Sequence, residues 1–315
     1  MDRWKVLVTA PRALAAMARY EEELGAAGCE VVGRHAVERL EEADLLPIVG
    51  DVDGIVCGDD RITRRVLDAA PRLRVISKWG TGIDSIDVAD ARRRGIVVCN
   101  TPGAFSDPVA DTVMGYVLLF ARGLDAMAQD MRAGLWRRLP LVSLRECTLG
   151  IVGLGDIGCA VARRAAGFGM RVLGVGLDPP ADMIPAELGV VPASLEALLR
   201  DSDFVTLHAD LRLDNRRMVD GARIALMKPT AVLINTARGG LVDEGALVSA
   251  LRDGRIAGAA LDVFHEEPLP ADSPLRSLAN VYLSPHNANA SPAAAERVHA
   301  KTIRNLLAGL EAGAR

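Results

Sequence analysis

Aromatic side chains make up only 3% of this 315-residue chain. Its cores must therefore be built from Ala, Val, Leu and Ile, the residues of layered strands and helices, and not around a few large rings. Cysteine is also sparse. Cys29, Cys57, Cys99, Cys147 and Cys159 are odd in number and lack the spacing of a metal site or a disulfide framework. They read as small buried thiols in the reduced state of a cytoplasmic protein. Charge of one sign is missing too: the net charge is −4, with acids and bases interspersed. That leaves no basic footprint for nucleic acid or an anionic membrane. No apolar run approaches the ~20 residues of a membrane span. The opening MDRWKVLVTA reads as a first strand and not as a leader. Internal repeats and low-complexity tracts are absent.

What is present is an apolar half and a length greater than one ordinary domain. Short apolar runs at Lys5–Ala10, Glu30–Gly33, Gly54–Cys57, Arg74–Ser77 and Ile96–Cys99 read as buried strands, with helical patterns between them, the first over 12–27. Strands alternating with helices imply a parallel sheet covered on both faces. After Thr101-Pro102-Gly103 a long helical stretch is expected over 106–133. Further strands are expected at Gly189–Val191, Phe204–Leu207, Ala231–Ile234, Gly258–Leu261 and near Val281–Leu283, then a helix over about 291–310. The expected fold class is α/β, with two Rossmann-like lobes built on parallel sheets. The first lobe, flavodoxin-like and discontinuous, spans 1–101 plus 287–315, the last helix returning to it. The second spans 102–286. Crossings near 102 and 287 would form a hinge around a cleft.

The second lobe opens on Thr148–Asp178, TLGIVGLGDIGCAVARRAAGFGMRVLGVGLD. An apolar strand leads into Gly153-x-Gly155-x-x-Gly158, a helical segment follows, and a second apolar run ends in Asp178. That acid follows Gly158 at roughly the 20-residue offset of a dinucleotide-binding βαβ unit. Gly153 allows the tight turn, Gly155 the close approach of a pyrophosphate, and Gly158 close helix–strand packing. The phosphates would lie on free N–H groups at the positive end of the helix. Asp178 would accept from ribose hydroxyls and repel a 2′-phosphate, with Pro179-Pro180 offering no cation in compensation. NAD is therefore expected over NADP.

Ionisable residues follow apolar strands at three further places, where open α/β sheets bind ligands. They are Arg238 in LINTARGG, Glu267 in LDVFHEEP and His286 in LSPHN. Meeting beside a nicotinamide, these three would suffice for one reaction. Arg238 would grip the carboxylate of a 2-hydroxy or 2-oxo acid and polarise its C2 oxygen. His286 would exchange the hydroxyl proton. Glu267 would favour the charged imidazole and hold one tautomer. On spacing alone each also has a plainer reading: a surface ion pair, a solvated loop acid and a structural histidine.

The segments KWGTGIDSIDV, CNTPGAFSDPVADTV, GIVGLGDIG, LINTARGGLVDEGALVSAL, GAALDVFHEEPLP and SPHNA together resemble the D-isomer-specific 2-hydroxyacid dehydrogenase family, in particular its phosphoglycerate dehydrogenase-like branch. The resemblance covers most of the chain and is densest from 78 to 290. It implies catalysis by Arg238, Glu267 and His286, a substrate-binding (catalytic) first lobe and an NAD-binding second lobe that supplies a homodimer interface. It further implies that Lys78, Trp79, Gly80, Thr81 and Gly82 face the substrate alongside Arg238 and His286, the loop giving backbone N–H groups to the carboxylate. Around NAD it places Gly153, Gly155, Asp156, Ile157 and Gly158 at the pyrophosphate and Asp178 at the ribose. His208, Thr236, Ala237, Asp262 and His286 would surround the nicotinamide half. No metal is implied.

Some residues depart from the family pattern. After His208 the usual Pro-Leu-Thr-like turn is Ala209-Asp210-Leu211, Asn287-Ala288-Asn289 follows His286, and Ser106-Asp107-Pro108 replaces a small-residue crossing. Lys78 stands where relatives often carry an Arg, as a second anion site or a solvated lysine. Trp136 reads as dimer packing or as an aromatic sent toward a partner's site. The expected activity is NAD-dependent interconversion of a small polar D-2-hydroxy acid, phosphoglycerate-, glycerate- or sugar-acid-like, with its 2-oxo acid. The alternatives are a non-catalytic NAD(H)-sensing module and a formate- or phosphite-type dehydrogenase.

Overall fold

The computed structural model of the chain describes residues 3–176 and 186–312. The chain divides into two compact units, Met1–Phe105 with Ser291–Arg315, and Ser106–Ala290. No helix of the described residues is long and apolar enough to cross a membrane.

In the first unit, β1 (Trp4–Val8), β2 (Cys29–Gly33), β3 (Gly54–Cys57), β4 (Val75–Lys78) and β5 (Val97–Cys99) form a parallel sheet in the order β2-β1-β3-β4-β5. Every residue of β3 and β4 is buried, whereas the edge strands are partly exposed. Burial on both faces is why the inner strands read as unbroken apolar runs and not as alternating ones. The intervening helices are α1 (Pro11–Ala16), α2 (Glu21–Ala26), α3 (Glu42–Leu45), α4 (Arg64–Asp68) and α5 (Val88–Arg93). The single helix expected over 12–27 is thus interrupted by a 3-10 turn at Met17–Tyr20, which buries Met17 and brings the Tyr20 ring to 6.4 Å from that of His299. A C-terminal helix, Pro292–Ala312, packs on β3, β4 and β5, with Val298, Leu306 and Leu310 buried. Leu7, Ile55, Ile76, Leu45 and Val66 belong to the core on the other helices' side, each fully buried aliphatic side chain contributing about 1.5–3 kcal/mol.

The second unit begins with α6 (Ser106–Ala121) and α7 (Leu124–Arg132). The expected long helix breaks between them because Gly123 adopts a left-handed conformation, φ +53°. Its sheet comprises β6 (Thr148–Val152), β7 (Arg171–Val175), β8 (Val190–Pro192), β9 (Phe204–Leu207), β10 (Val232–Asn235), β11 (Gly258–Leu261) and β12 (Val281–Leu283). All run parallel, in the order β12-β11-β10-β9-β6-β7-β8. The helices are α8 (Asp156–Gly167), α9 (Leu195–Asp201), α10 (Gly221–Ile224) and α11 (Glu244–Arg252). Thr63, Asp87, Ser194, Asp220 and Asp243 start α4, α5, α9, α10 and α11, each accepting the N–H three residues on. The strand order reverses at β6, which lies between β7 and β9. Such a switch point opens a crevice at the carboxyl ends of the strands.

Candidate functional site

Strand register builds this site. Val152, Leu207, Asn235, Leu261 and Leu283 pair in a row across β6, β9, β10, β11 and β12. The residues that follow, Gly153, His208, Thr236, Asp262 and Ser284, therefore leave the sheet side by side at its carboxyl edge. Arg238, Glu267 and His286 lie a few residues beyond, after three adjacent strands.

The β6–α8 turn is shaped for a dinucleotide. Gly153 has φ +96°, and a Cβ there would meet the His208 carbonyl carbon at 2.7 Å; a Cβ on Gly158 would meet the Gly153 oxygen at 2.0 Å. Neither position admits a side chain, and the helix is drawn hard against the turn. A Cβ on Gly155 would meet nothing within 4 Å, and this residue caps α8 without a side-chain hydrogen bond. The first N–H groups of a twelve-residue helix thus face room for a phosphate. Toward β9 and β10 two polar atoms, His208 Nδ1 and Thr236 Oγ1, are buried with no hydrogen-bond partner among the described residues. Buried polar groups are almost always paired, so these two fit the polar edge of a nicotinamide. The other His208 nitrogen, Nε2, lies 2.9 Å from Thr206 Oγ1. Burial pushes the His208 pKa down to about 3, which keeps the ring neutral. Asp178 lies outside the described residues.

Asp262 is 1% exposed. Its Oδ1 accepts from Ser284 Oγ and from the Asn287 N–H (2.8 Å), and its Oδ2 from the Ala288 N–H (2.9 Å). Its backbone carbonyl accepts the His286 N–H at 2.8 Å. The loop carrying His286 is therefore wound around one buried carboxylate, which repays its desolvation with three charge-assisted bonds. Tyr116 Oη on α6 is 2.6 Å from Ser284 Oγ. Because the serine proton goes to an acceptor-only carboxylate, the phenol must donate. Burial raises the Tyr116 pKa and keeps that proton in place. Thr112 Oγ1 adds a bond to the Ala288 carbonyl at 3.2 Å. Sequence reasoning did not identify Tyr116 or Ser284 as braces. A tyrosine within an apolar helix gives no sign of the loop it will hold.

So held, His286 adopts φ +48°, a left-handed conformation uncommon among residues other than glycine. Its Nδ1 is 3.0 Å from Glu267 Oε2, with side chains 20% and 12% exposed respectively. Glu267 Oε1 accepts the Phe264 N–H at 2.9 Å, so both carboxylate oxygens are oriented. An ionised carboxylate only accepts, which assigns a proton to Nδ1 and leaves Nε2 as the nitrogen for proton exchange. Arg238 follows β10 in extended backbone, and its Nη1 donates to the Ala237 carbonyl at 2.8 Å. Asn235 Nδ2 in turn donates to the Arg238 carbonyl at 2.9 Å. A Cβ on the next residue, Gly239, would meet the Phe264 carbonyl at 2.0 Å. Only glycine lets the Arg238 loop close on the loop that leads to Glu267.

Within the first unit, Lys78 is buried, its Nζ donating to the Gly58 carbonyl (2.5 Å) and Asp59 Oδ1 (2.7 Å). It is therefore not a solvated lysine. Trp79 is also buried. Beyond it, Gly80 has φ +136° and its carbonyl accepts the Thr101 N–H at 2.9 Å, while the Thr81 carbonyl accepts from Asn100 Nδ2 at 2.6 Å. Trp136, in the second unit, is 81% exposed.

Comparison with known proteins matches residues 114–288, more than half of the chain, to the NAD binding domain of the D-isomer specific 2-hydroxyacid dehydrogenases. A glyoxylate reductase of Korarchaeum cryptofilum is 42% identical over 278 residues, 86% of this chain and 81% of the relative. A D-3-phosphoglycerate dehydrogenase of Methanocaldococcus jannaschii is 39% identical over 280 residues, 87% of this chain and 51% of the relative. The crystal structure of a D-lactate dehydrogenase from Aquifex aeolicus, complexed with NAD and lactic acid, superposes with a TM-score of 0.87 at 28% identity, covering 98% of this chain and 96% of the other. Dinucleotide cradle, strand-end residues and these likenesses agree: the chain belongs to the D-isomer specific 2-hydroxyacid dehydrogenase family and is a nicotinamide-dependent oxidoreductase of 2-hydroxy acids.

Proposed function

We propose that this enzyme reduces a short 2-oxo acid with a single anionic group, glyoxylate or hydroxypyruvate, to its 2-hydroxy acid with NADH, and catalyses the reverse with NAD. The observation that carries the reading is the oriented His286–Glu267 pair at the edge bearing the dinucleotide cradle. Relatives named glyoxylate reductase support the substrate class. When bound, the nicotinamide supplies or accepts the hydride. Arg238 binds the substrate carboxylate and polarises the C2 oxygen. His286 Nε2 gives that oxygen its proton in reduction and takes it in oxidation, Glu267 balancing the imidazolium charge. Main-chain N–H groups of the Trp79–Gly82 loop serve the substrate carboxylate, making the first unit the substrate-binding domain and the second the NAD-binding domain. Gly153, Gly155, Asp156, Ile157 and Gly158 hold the pyrophosphate and Asp178 the ribose. His208, Thr236 and Ala237 bound the nicotinamide half. With three donors already on its carboxylate, of about four it can accept, Asp262 has one position left for the carboxamide.

Lys78 decides between substrates. Its ammonium already serves the Gly58 carbonyl and Asp59, so a second anion would have to compete with an ion pair that is formed. In a panel of 2-oxo acids with NADH, followed by absorbance of the reduced nicotinamide, glyoxylate and hydroxypyruvate should turn over. Their kcat/KM should exceed that of phosphohydroxypyruvate about tenfold or more, the worth of one charged hydrogen bond. Preference for the phosphorylated acid would refute the assignment of Lys78. Tight NADH binding with no turnover on any acid would leave only a binding module. Asp178→Ala should raise kcat/KM with NADPH relative to NADH; an unchanged ratio would assign cofactor choice elsewhere.

We also place the enzyme in the cytoplasm as a homodimer. Leu124, Met131, Leu135, Trp136 and Val142 are exposed along and beyond α7 in the second unit, and a second copy would cover them.

A further inference from the structure

We propose that His299 on the C-terminal helix is a positioning residue for the Trp79–Gly82 loop, holding it through a hydrogen bond that exists only while the imidazole is neutral. The inference rests on the reading that this loop receives the substrate carboxylate.

Trp79 Nε1–H donates to His299 Nδ1 at 3.0 Å, and both residues are 7% exposed. An indole nitrogen only donates, so Nδ1 carries no proton and the ring's proton sits on Nε2. The indole is packed on three sides, with the His299 and Phe105 ring centroids each 5.5 Å away and the Arg12 guanidinium 5.7 Å above the ring. The same helix reaches the loop's surroundings on its next two turns. The Thr302 carbonyl accepts from Ser77 Oγ at 2.8 Å, just before the loop. Asn305 Nδ2 donates to the Asn100 carbonyl at 3.1 Å, and Asn100 holds the Thr81 carbonyl. Residues 299, 302 and 305 thus splint the strand before the loop, its bulkiest side chain and the segment clasping its far end. Of the three, only His299 can change charge.

The charged and titratable groups facing the imidazole are Glu296 on its own helix, Arg19 paired to Glu296 at 2.5 Å, and the Tyr20 phenol, with Arg12 beyond the indole. Burial lowers the His299 pKa, Glu296 opposes that shift and Arg19 reinforces it. A depressed folded pKa means the neutral form, and the bond to Trp79, are intact at neutral pH. The bond is lost as pH falls below the ordinary histidine range and through the folded value.

Replacing Trp4 and Trp136 by Phe leaves Trp79 as the single reporter of the chain's three tryptophans. In that protein Trp79 emission should titrate with a midpoint below about 6.5, the ordinary histidine value. His299→Asn puts an amide oxygen where Nδ1 accepts, without a titrating ring. It should abolish that titration and keep KM for the 2-oxo acid within about twofold. His299→Leu should raise KM about tenfold while kcat changes less than about threefold, the pattern of lost binding rather than lost chemistry. Emission that is independent of pH, or that still titrates in His299→Asn, overturns the proposal without reliance on a destabilised variant. An active parent whose His299→Leu form keeps its KM also overturns it. A parent that turns over no 2-oxo acid overturns instead the functional reading beneath it.

Discussion

His286→Asn should lower kcat by roughly 10²-fold or more, the usual scale for loss of a general acid–base, with NADH affinity within about twofold of the parent. Asparagine is the informative replacement because residue 286 sits at φ +48°, where asparagine is tolerated far better than alanine. The backbone bond to the Asp262 carbonyl and the neighbouring bonds to its carboxylate do not involve the imidazole. The turn should therefore persist, and the lost activity should report the lost proton exchange. An amide cannot protonate the developing alkoxide, and Glu267, with Oε1 held by the Phe264 N–H, is committed to a supporting place. Single-turnover hydride transfer monitored with pre-bound NADH separates the outcomes. A near-normal rate would remove His286 from proton transfer and leave the pair a structural contact.

Much of the fold was legible because burial on both faces leaves its trace in composition. Gly54–Cys57, Phe204–Leu207 and Gly258–Leu261 are strands over the whole of their apolar runs, since inner strands of a parallel sheet carry no exposed face to break the pattern. The GxGxxG turn was legible for a different reason: Gly153 and Gly158 stand where any Cβ would collide. Helix continuity was less legible. Apolar periodicity runs through 12–27 and 106–133, but a 3-10 turn and the left-handed Gly123 divide them. Periodicity reports which face is buried, not where the axis turns.

In the site, residue types were readable and partnerships were not. Glu267 and His286 are 19 residues apart in the chain yet 3.0 Å apart in space, and the family resemblance, not spacing, paired them. Lys78 was left open because its fate depends on Asp59, on a different strand end. The resemblance gave Asp262 only a place beside the cofactor; its bonds to Ser284, Asn287 and Ala288 also make it the organiser of the His286 loop. The Trp79–His299 bond spans 220 positions, and no local pattern marks either end.

Arg238→Lys should reduce kcat/KM by about 10²-fold, through both a higher KM and a lower kcat. The guanidinium offers five donors in a planar fork, one of them spent on the Ala237 carbonyl. That bond orients a planar fork that can meet two oxygens at once, a carboxylate and the C2 oxygen where negative charge grows during reduction. An ammonium is a point charge on a flexible stem. Wherever it settles it serves one oxygen well and the other poorly, and loses the backbone bond that sets its direction. Loss of one charged hydrogen bond, worth about 1.5–3 kcal/mol, brackets the expected fall. The fold should be untouched, since residue 238 is extended backbone at φ −145°, ψ 134°, and the close approach that shapes this loop belongs to Gly239. Unchanged kcat/KM, with the variant's thermal melt matching the parent, would refute the carboxylate clamp. An unchanged kcat with a raised KM would confine Arg238 to ground-state binding and move polarisation of the carbonyl to another group.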